Sequence, residues 1–502
     1  MNHYDLAVIG GGPAGYHAAW LAAAGGMKTA LFESEKLGGV CLNEGCIPTK
    51  VMLNSSKLLY HINNSAAYGV VMNAGPGDAS NKPGAAGFSL SHEAVAARKE
   101  KIIRTLVGGV RAKLKSAGAE VFFGGAEITG RGNGGFIIKQ TSGTDSFGSV
   151  EASNILIATG SSPVIPPIKG VREGLESGFV LTSREALSLA EIPRRLIIVG
   201  GGVIGLELAD YFNAAGANVT VVEMQGRAAY PMDTEIADIL VSNLQKKGVG
   251  FRFGCLLTDI HMPGPGPKEG GAAIRLTDKP VVMDSKDAGD HSVHTGNDAG
   301  GIETLAAGKI LISVGRKPNA SGFGADKLGV CVEKGAVVTD DYMRTNIPGI
   351  YAAGDVNGKL MLAHTAYLEA GAAVSHMLGK PYRMRYGAIP SVIYTDPEAA
   401  SVGETGESAE AKGLAVKTVT LPLRYSGRYV AETEGGDGIC KVVFDAVKST
   451  VAGVHIAGTY ASEIILSAAM MVDGQWPVET LKQIAYPHPT VGEILREAVF
   501  EY

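Results

Sequence analysis

The sequence contains little cysteine and no long apolar segment. Five cysteines among 502 residues are too few for the disulfide framework of a small secreted domain. No apolar run reaches the roughly 18 residues that a membrane-spanning helix needs. Residues 1–5 lack the basic start and the apolar run of a secretory signal peptide. We therefore expect a soluble, cytoplasmic protein without a membrane partner.

The sequence also lacks an excess of charge of one sign. It has 45 Lys and Arg residues and 50 Asp and Glu residues, so its net charge is −5 at pH 7. No stripe of basic residues stands out along the linear chain. A nucleic acid partner is therefore not expected.

The length and the apolar periodicity indicate several α/β domains. A chain of 502 residues exceeds the size of one hydrophobic core, so roughly two to four domains are expected. A strand at 6–9, a helix at 14–24 and a strand at 29–32 form an opening βαβ unit. The same order recurs over 196–222. After about residue 386 short strands and helices indicate a separate α+β domain.

A long helix is predicted between the opening unit and the middle of the chain. Apolar residues recur at helical spacing over 102–114. Ser91 is a suitable N-cap, and Gly118 is a suitable helix end.

A glycine motif, Gly10-x-Gly12-x-x-Gly15, lies where the first predicted strand meets the first predicted helix. The first glycine permits a tight turn, the second lets the backbone approach a pyrophosphate, and the third lets helix and strand pack closely. The helix N-terminus offers N–H groups to phosphates. Glu33, 23 residues after Gly10, is placed to accept hydrogen bonds from ribose hydroxyls.

The motif Gly200-x-Gly202-x-x-Gly205 repeats this pattern, and Glu223 again follows the first glycine by 23 residues. The carboxylate would repel a 2′-phosphate, which favours NAD over NADP. In a chain with 69 glycines a single motif could be a plain turn. Two motifs, each with strand, helix and acid in place, predict two dinucleotides, a flavin and a nicotinamide.

Cys41 and Cys46 follow the first βαβ unit directly and are separated by four residues. If one helix begins near Cys41, the two residues lie about 7.5 Å apart along its axis, so a disulfide would need local distortion. A thiolate near a helix N-terminus is stabilised. The alternatives are two buried thiols without a redox role, or half of a zinc site. No further Cys or His pair at ligand spacing lies nearby, so no metal is expected.

Near the C-terminus, His488 and Glu493 are five residues apart, and prolines flank the histidine. Dithiol chemistry needs a base because the thiolate is the nucleophile. Histidine titrates near the working pH, and a carboxylate can orient it. Taken alone, His488 fits a structural loop histidine better than a base, and only the residues around it favour the catalytic role.

Taken in order, these motifs resemble the flavoprotein disulfide reductase family, the class I pyridine nucleotide-disulfide oxidoreductases, and among them the members that oxidise dihydrolipoamide. The likeness covers nearly the whole chain. Its segments are 10–15, 38–50, 158–161, 200–205, 314–319, 350–355 and 488–493.

The resemblance implies an α/β fold with two Rossmann-like dinucleotide-binding domains, for FAD and NAD, and a C-terminal α+β dimerisation domain. The implied domains are an FAD-binding domain with the redox disulfide at 1–165, an NAD-binding domain at 166–305, a central domain completing the FAD site at 306–385, and an interface domain at 386–502.

The resemblance also implies residue roles. The implied catalytic residues are Cys41, Cys46, Lys50, Glu207, His488 and Glu493. Cys41 would exchange with the substrate, and Cys46 would lie against the flavin. His488 would reach the disulfide of the other subunit of a homodimer, and its bond to Pro489 is a candidate cis peptide.

Two sets of residues would hold the cofactors. The implied FAD site consists of Gly10, Gly12, Pro13, Ala14, Gly15, Glu33, Gly39, Val40, Cys41, Lys50, Ala126, Thr159, Gly160, Ser161, Arg316, Gly354, Asp355, Met361, Leu362, Ala363 and His364. The implied NAD site consists of Gly200, Gly202, Val203, Ile204, Gly205, Glu207, Glu223 and Gly315.

The implied activity is oxidation of protein-bound dihydrolipoamide through the Cys41–Cys46 disulfide and FAD, with reduction of NAD⁺ to NADH. The implied partners are lipoyl domains, or a lipoyl carrier protein, of a 2-oxo-acid dehydrogenase or glycine cleavage complex. The alternatives are a glutathione, mercuric or thioredoxin reductase type, or an inactive FAD-binding protein. Glu223 disfavours the NADPH-linked glutathione type, and residues 498–502 contain no cysteine pair of the mercuric or thioredoxin type.

The sequence departs from the family pattern in a few places. Tyr486 stands where a histidine is common, and Thr49 stands where serine is usual. The segments 73–87 and 262–302 are longer than the corresponding segments usual in the family. We interpret them as surface insertions, the second around a possible strand at 273–276.

Overall fold

The structure is a computed structural model of the chain, and it describes residues 1–70, 88–143, 148–261, 273–278 and 302–502. These residues form two compact units. The first comprises Met1–Thr49, Ala97–Val164 and Gly315–Arg385, and the second comprises Lys50–Ala96, Ile165–Val314 and Tyr386–Tyr502. Among the described residues, no helix combines the length and the apolar character that a bilayer crossing requires.

Both units contain strands and helices. The strands are β1 Asn2–Ile9, β2 Thr29–Glu33, β3 Glu120–Phe123, β4 Ala126–Arg131, β5 Phe136–Gln140, β6 Ser149–Ile157, β7 Ser161–Pro163, β8 Val180–Leu181, β9 Arg195–Val199, β10 Asn218–Glu223, β11 Gly250–Phe253, β12 Cys255–His261, β13 Ala273–Asp278, β14 Ile302–Ala306, β15 Lys309–Ile312, β16 Arg316–Pro318, β17 Val332–Glu333, β18 Ala336–Val337, β19 Ile350–Ala352, β20 Ser391–Ile393, β21 Ala399–Gly403, β22 Val416–Pro422, β23 Ile439–Asp445 and β24 Thr450–Ala457. The helices are α1 Pro13–Ala24, α2 Gly39–Glu44, α3 Cys46–Asn63, α4 His92–Ala117, α5 Val171–Glu176, α6 Ser183–Ala186, α7 Val203–Ala214, α8 Thr234–Lys246, α9 Ala363–Met377, α10 Gly406–Ala411, α11 Gly427–Glu432, α12 Ala461–Gly474, α13 Val478–Leu481 and α14 Ile494–Phe500. Short 3₁₀ turns lie at Ser65–Tyr68, Ala325–Leu328, Asp355–Asn357, Leu423–Tyr425 and Val491–Glu493.

The first unit is built on a sheet in the order β3-β2-β1-β6-β5-β4, with β19 paired to the second half of β6. Strands β1, β2, β3, β6 and β19 are parallel, whereas β4 and β5 pair antiparallel at one edge. Residues Leu6 to Ile9 are buried, as expected for a central parallel strand that is covered on both faces. The predicted opening βαβ unit is confirmed.

Helix α1 begins at Pro13, which provides a backbone φ suited to the first helical position. Small residues cover its buried face, including Ala18, Ala19 and Ala22. They let α1 pack closely against α9. The small side chains therefore bring the start of the chain next to residues more than 340 positions later.

The described residues of the second unit form three sheets. Strands β11-β10-β9-β15-β8 form a parallel sheet with α7 between β9 and β10, which confirms the second βαβ prediction. Strands β12-β13-β14 form an antiparallel sheet, and β13 confirms the strand predicted at 273–276. Most of the two predicted insertions, 73–87 and the rest of 262–302, lies outside the described residues.

The third sheet of this unit, β20-β21-β24-β23-β22, is antiparallel, and α12 packs on β21 and β24. This arrangement confirms the α+β character predicted after about residue 386.

Helix α4 agrees with its predicted ends. The hydroxyl of Ser91 accepts a hydrogen bond from the Ala94 amide at 3.3 Å, which is the role of an N-cap. Gly118 follows the helix with φ +85°, a conformation that glycine adopts at little cost.

Candidate active site

The two cysteines lie on different helices. A single helix running from Cys41 past Cys46 is wrong, because α2 ends at Glu44 and α3 begins at Cys46. Gly45 separates the helices with φ −147° and ψ −106°. Both cysteines are half-buried. Their separation is therefore set by the interruption of the helix at Gly45 rather than by distortion of one continuous helix.

The start of α2 packs against the first glycine motif. Gly38 and Gly39 have φ values of +100° and +58°, a region that glycine occupies readily. A Cβ on Gly39 would lie only 2.6 Å from the Cα of Gly12. Val40, one of the predicted FAD-site residues, is exposed next to this contact. The glycines thus bring the helix that carries Cys41 against the motif.

Two tyrosines that the sequence analysis missed lie near the cysteines. The Tyr16 and Tyr367 hydroxyl oxygens, on α1 and α9, are 2.5 Å apart. Burial is the main cause that raises the pKa of both phenols, and the negative charges of Cys41 and Cys46 raise it further. Both phenols are therefore neutral at physiological pH. No sequence signal links residues so far apart in the chain.

The first glycine motif has the shape that a pyrophosphate requires. A Cβ on Gly10 would lie 2.2 Å from the carbonyl oxygen of Ala158, and one on Gly15 would lie 1.8 Å from the Gly10 oxygen. No side chain fits at either position. Glu33 accepts a hydrogen bond from the Gly11 amide at 2.7 Å, and burial raises its pKa.

A polar network in the same unit joins three predicted FAD-site residues. The Arg316 guanidinium donates to the Ser161 hydroxyl at 2.7 Å and to its carbonyl at 2.6 Å, and that hydroxyl donates to Asp355 at 2.5 Å. Burial lowers the pKa of Arg316, against the opposing effects of Asp355 and Cys46. The chain therefore assembles this network from segments near 161, 316 and 355.

Gly354 connects the Asp355 segment to the first glycine motif. A Cβ on Gly354 would lie 3.1 Å from the Cβ of Ala14. Its amide donates to the buried Glu369 at 2.6 Å, a residue that the sequence analysis missed.

The remaining predicted FAD-site residues of the first unit lie in loops, in strand β4 and at the start of helix α9. The Thr159 hydroxyl donates to the Asn319 carbonyl at 2.7 Å. Gly160 has φ +72°, and Ala126 is buried in β4. Met361 and Leu362 precede α9, and Ala363 and His364 begin it.

The second glycine motif repeats the geometry of the first. A Cβ on Gly200 would lie 2.4 Å from the Ser313 carbonyl oxygen, and one on Gly205 would lie 2.1 Å from the Gly200 oxygen. Glu223 accepts from the Gly201 amide at 2.7 Å, just as Glu33 accepts from Gly11. Gly202, Val203 and Ile204 form the start of α7. Gly315, assigned to the same site from the sequence, belongs to the first unit, where its φ is +119°.

Lys50 and Glu207 form an ion pair in the second unit. The Lys50 Nζ lies 2.9 and 2.8 Å from the two carboxylate oxygens of Glu207, whose side chain is only 4% exposed. The Tyr394 amide donates to the same carboxylate at 3.0 Å, and the Tyr394 ring lies 4.4 Å from the Nζ. A buried carboxylate with several charge-assisted partners is held in one orientation. Tyr394 is a further residue that the sequence did not reveal.

One turn further along α7, Asp210 repeats this role. It accepts from the Asp396 amide at 3.0 Å and from the Lys247 ammonium group at 3.2 Å. Burial raises the pKa of Asp210, although Lys247 opposes this effect. Glu207 and Asp210 together anchor the segment 394–396 to helix α7.

His488 and Glu493 are in contact, as expected from their spacing. The His488 Nδ1 lies 2.8 Å from a Glu493 carboxylate oxygen. The Glu493 side chain is 11% exposed, whereas that of His488 is 78% exposed in the single chain. The predicted cis peptide between His488 and Pro489 is present. The bond to Glu493 favours a proton on Nδ1, which leaves the Nε2 lone pair to act as a base.

Comparisons with known proteins cover almost the whole chain. Residues 4–370 match the family described as pyridine nucleotide-disulphide oxidoreductase, and residues 389–499 match its dimerisation domain. Dihydrolipoyl dehydrogenase of Chlamydia muridarum is 33% identical over 500 residues, 99% of this chain and 97% of the relative. Dihydrolipoyl dehydrogenase of Bacillus subtilis is 35% identical over 511 residues, again 99% and 97%.

Solved structures show the same architecture. LpdA from Mycobacterium tuberculosis superposes with a TM-score of 0.83 at 27% identity, covering 100% of this chain and 99% of the other. The HOCl-induced flavoprotein disulfide reductase RclA from Escherichia coli has a TM-score of 0.79 at 24% identity, covering 99% of both chains, and supports the fold alone.

Proposed function

Because the chain belongs to the pyridine nucleotide-disulphide oxidoreductase family, we propose that it oxidises dihydrolipoyl groups and reduces NAD⁺ to NADH. The observation that carries the proposal is the position of Cys41 and Cys46 on two successive helices, the first of which begins against the first glycine motif. The chain uses FAD and NAD(H), as this family does. The alternative reductase types are not favoured, because the full-length relatives are dihydrolipoyl dehydrogenases.

The overall reaction balances without a further reagent. The substrate dithiol loses two electrons and two protons and becomes a cyclic disulfide. NAD⁺ accepts two electrons and one proton as a hydride, and the second proton is released. FAD, when bound, supplies the route by which the electron pair reaches the nicotinamide.

His488 and Glu493 would control the protons of the substrate dithiol. The Nε2 of His488 takes a proton from one substrate thiol, and Glu493 stabilises the resulting imidazolium through its bond to Nδ1. The thiolate attacks the Cys41 sulfur of the Cys41–Cys46 disulfide, and Cys46 leaves as a thiolate. The second substrate thiol, once deprotonated, displaces Cys41 from the mixed disulfide, and oxidised lipoamide is released.

The first glycine motif fits the pyrophosphate of FAD, because any side chain at positions 10 and 15 would collide with the backbone. Glu33, Asp355 and the Arg316–Ser161 pair would bind its polar parts, together with the other FAD-site residues named above. Lys50, held by Glu207, would contribute a positive charge near the reacting cysteine.

The second motif fits NAD in the same way. The Glu223 carboxylate would accept hydrogen bonds from the ribose hydroxyls and repel a 2′-phosphate. Gly202, Val203, Ile204, Gly315 and Glu207 complete the proposed site.

The dimerisation domain at 389–499 supports a homodimer, in which His488 of one subunit would serve the cysteines of the other. We further propose lipoyl domains or a lipoyl carrier protein as partners, a cytoplasmic location, and the domain roles expected for 1–165, 166–305, 306–385 and 386–502.

The test is a pair of assays on the purified protein. We expect reduction of NAD⁺ with dihydrolipoamide and little oxidation of NADPH with glutathione disulfide. Activity in the second assay alone would reject the proposed function.

A further inference from the structure

Helix α4 is strongly basic in an acidic chain. It contains seven Lys or Arg residues and two Glu residues, a net charge of +5, whereas the whole chain has a net charge of −5. The other residues therefore sum to −10. The linear sequence shows no basic stripe here because apolar residues are interspersed among the charges.

The fold gathers four of these charges on one exposed face. Lys101, Arg104, Arg111 and Lys115 follow one another at helical spacings, with Gly108 in the middle position, and all five residues are exposed. The side chains of Lys101, Arg104 and Lys115 make no ion pair with any residue in the described ranges. We call these five residues the α4 basic face. They span about 21 Å along the helix.

Gly108 forms a notch at the centre of this face. Glycine inside a helix is less favourable than alanine, so its presence needs a reason. A Cβ at Gly108 or at the neighbouring Gly109 would meet no atom within 4 Å. Packing among the described residues therefore does not require glycine at either position. A surface outside the chain that approaches the helix closely would require it.

The notch opens into a groove that reaches the redox helix. The groove has a volume of about 260 Å³ and is lined by Asn43, Ile103, Arg104, Val107, Gly108 and Arg111. Asn43 lies on α2, two residues after Cys41. Its side-chain amide donates to the carbonyls of Leu37 and Gly39 at 3.1 and 2.9 Å, which fixes this wall of the groove.

We propose that the α4 basic face is a docking surface for an acidic lipoyl carrier domain, whose lipoyl arm follows the groove beside Asn43 towards Cys41. The inference rests on the function proposed above and names the surface that receives its substrate. Three observations support it: the concentration of positive charge, the glycine notch, and the continuity of the groove with α2. Such a surface accelerates encounter with an oppositely charged partner, and the acceleration weakens as salt screens it.

The test compares two substrates that carry the same dithiol. The kcat/KM with NAD⁺ is measured for a reduced, purified lipoyl domain of net negative charge and for free dihydrolipoamide. For K101E/R104E we expect the ratio of the two values to fall about tenfold at low ionic strength. Raising the salt concentration should lower the ratio for the unaltered protein and leave it nearly constant for the variant.

Two further variants isolate the cause. K139E/K334E removes two exposed lysines elsewhere in the first unit, and the ratio should not change. G108L fills the notch without altering charge, and the Cβ that it adds meets no atom within 4 Å; it should lower the ratio at all salt concentrations.

Several outcomes would overturn the inference. An unchanged ratio in K101E/R104E, or equal losses with both substrates, would show that the face does not recognise the carrier. Dissociation of the K101E/R104E dimer in sedimentation would assign the face to a second copy of the chain. Binding of duplex DNA more tightly than the carrier at physiological salt would assign it to nucleic acid. If the unaltered protein oxidised neither substrate, the proposed function itself would fail.

Discussion

The hydroxyl oxygens of Tyr16 and Tyr367 lie 2.5 Å apart, and the charges of Cys41 and Cys46 act on both phenols. One phenol donates to the other, so the pair still has one hydroxyl proton to offer. A neutral hydroxyl beside a thiolate stabilises its negative charge. We therefore infer that the two tyrosines, one on α1 and one on α9, influence the protonation of the cysteines as positioning residues.

Tyr367→Phe tests this connection. The variant retains the ring and loses one hydroxyl, so at a given pH a smaller fraction of the reduced cysteine pair should be thiolate. We expect thiolate absorbance in the ultraviolet, followed against pH in the reduced protein, to rise at a higher pH than in the unaltered protein, by about half a pH unit, because a neutral dipole near the thiolates is lost. Tyr382→Phe, which removes a hydroxyl that donates to the Leu368 carbonyl, is the control and should not alter the titration. Identical curves for Tyr367→Phe and the unaltered protein would remove the pair from the account.

Glu207→Gln should destabilise the chain. It leaves the Lys50 ammonium group without its buried counter-charge, although Lys50 is 29% exposed and can recover part of its hydration. We expect a loss of about 2 to 3 kcal/mol in the free energy of unfolding, below the value for a fully buried pair, measured from urea denaturation. Glu479→Gln breaks the surface pair with Lys482 and should cost less than about 1 kcal/mol. Equal effects of the two substitutions would contradict the structural role of Glu207.

Glu223→Ser should weaken the discrimination between NAD⁺ and NADP⁺. The carboxylate next to the Gly201 amide is the group expected to bind ribose hydroxyls and repel a 2′-phosphate. We expect kcat/KM for NAD⁺ to fall about tenfold, or about 1.4 kcal/mol, while kcat/KM for NADP⁺ holds or rises. A variant that kept the original preference would place the discrimination elsewhere.

His488→Gln should abolish most dithiol oxidation and leave FAD binding intact. Loss of a positioned general base lowers such rates by about a hundredfold or more. Glu493→Gln retains the base and weakens its orientation, so a smaller loss is expected. The rate of NADH formation with dihydrolipoamide measures catalysis, and the visible absorbance of the bound flavin shows whether the cofactor is retained. Near-normal turnover of His488→Gln would exclude it as the base.

Much of the fold could be predicted because its signals are local. The two βαβ units are encoded by apolar runs, glycines and an acid at fixed intervals, and helix α4 by its N-cap and terminal glycine. The break at Gly45 could not be predicted, because local spacing gives no sign of its unusual ψ. From the sequence alone, the segment is compatible with one continuous helix that begins near Cys41.

The missed site residues depend on tertiary contacts. Tyr16 and Tyr367 meet only because α1 packs on α9, and Tyr394 reaches Glu207 only through its backbone amide. Almost every residue type has a backbone amide, so the identity of residue 394 does not reveal this contact. The α4 basic face could not be recognised in the linear sequence for a different reason. Its charged residues are interspersed with apolar residues along the chain, and only the helix brings the charges onto one face.

The central claim is that Cys41 and Cys46 carry the electrons. The most direct measurement is alkylation of the native protein with iodoacetamide, with and without NADH, followed by peptide mass analysis. We expect Cys41 to be labelled only after NADH is added, whereas Cys331, half-buried on the first unit, is labelled equally in both samples. Labelling at Cys41 and Cys46 that did not respond to NADH would contradict the account.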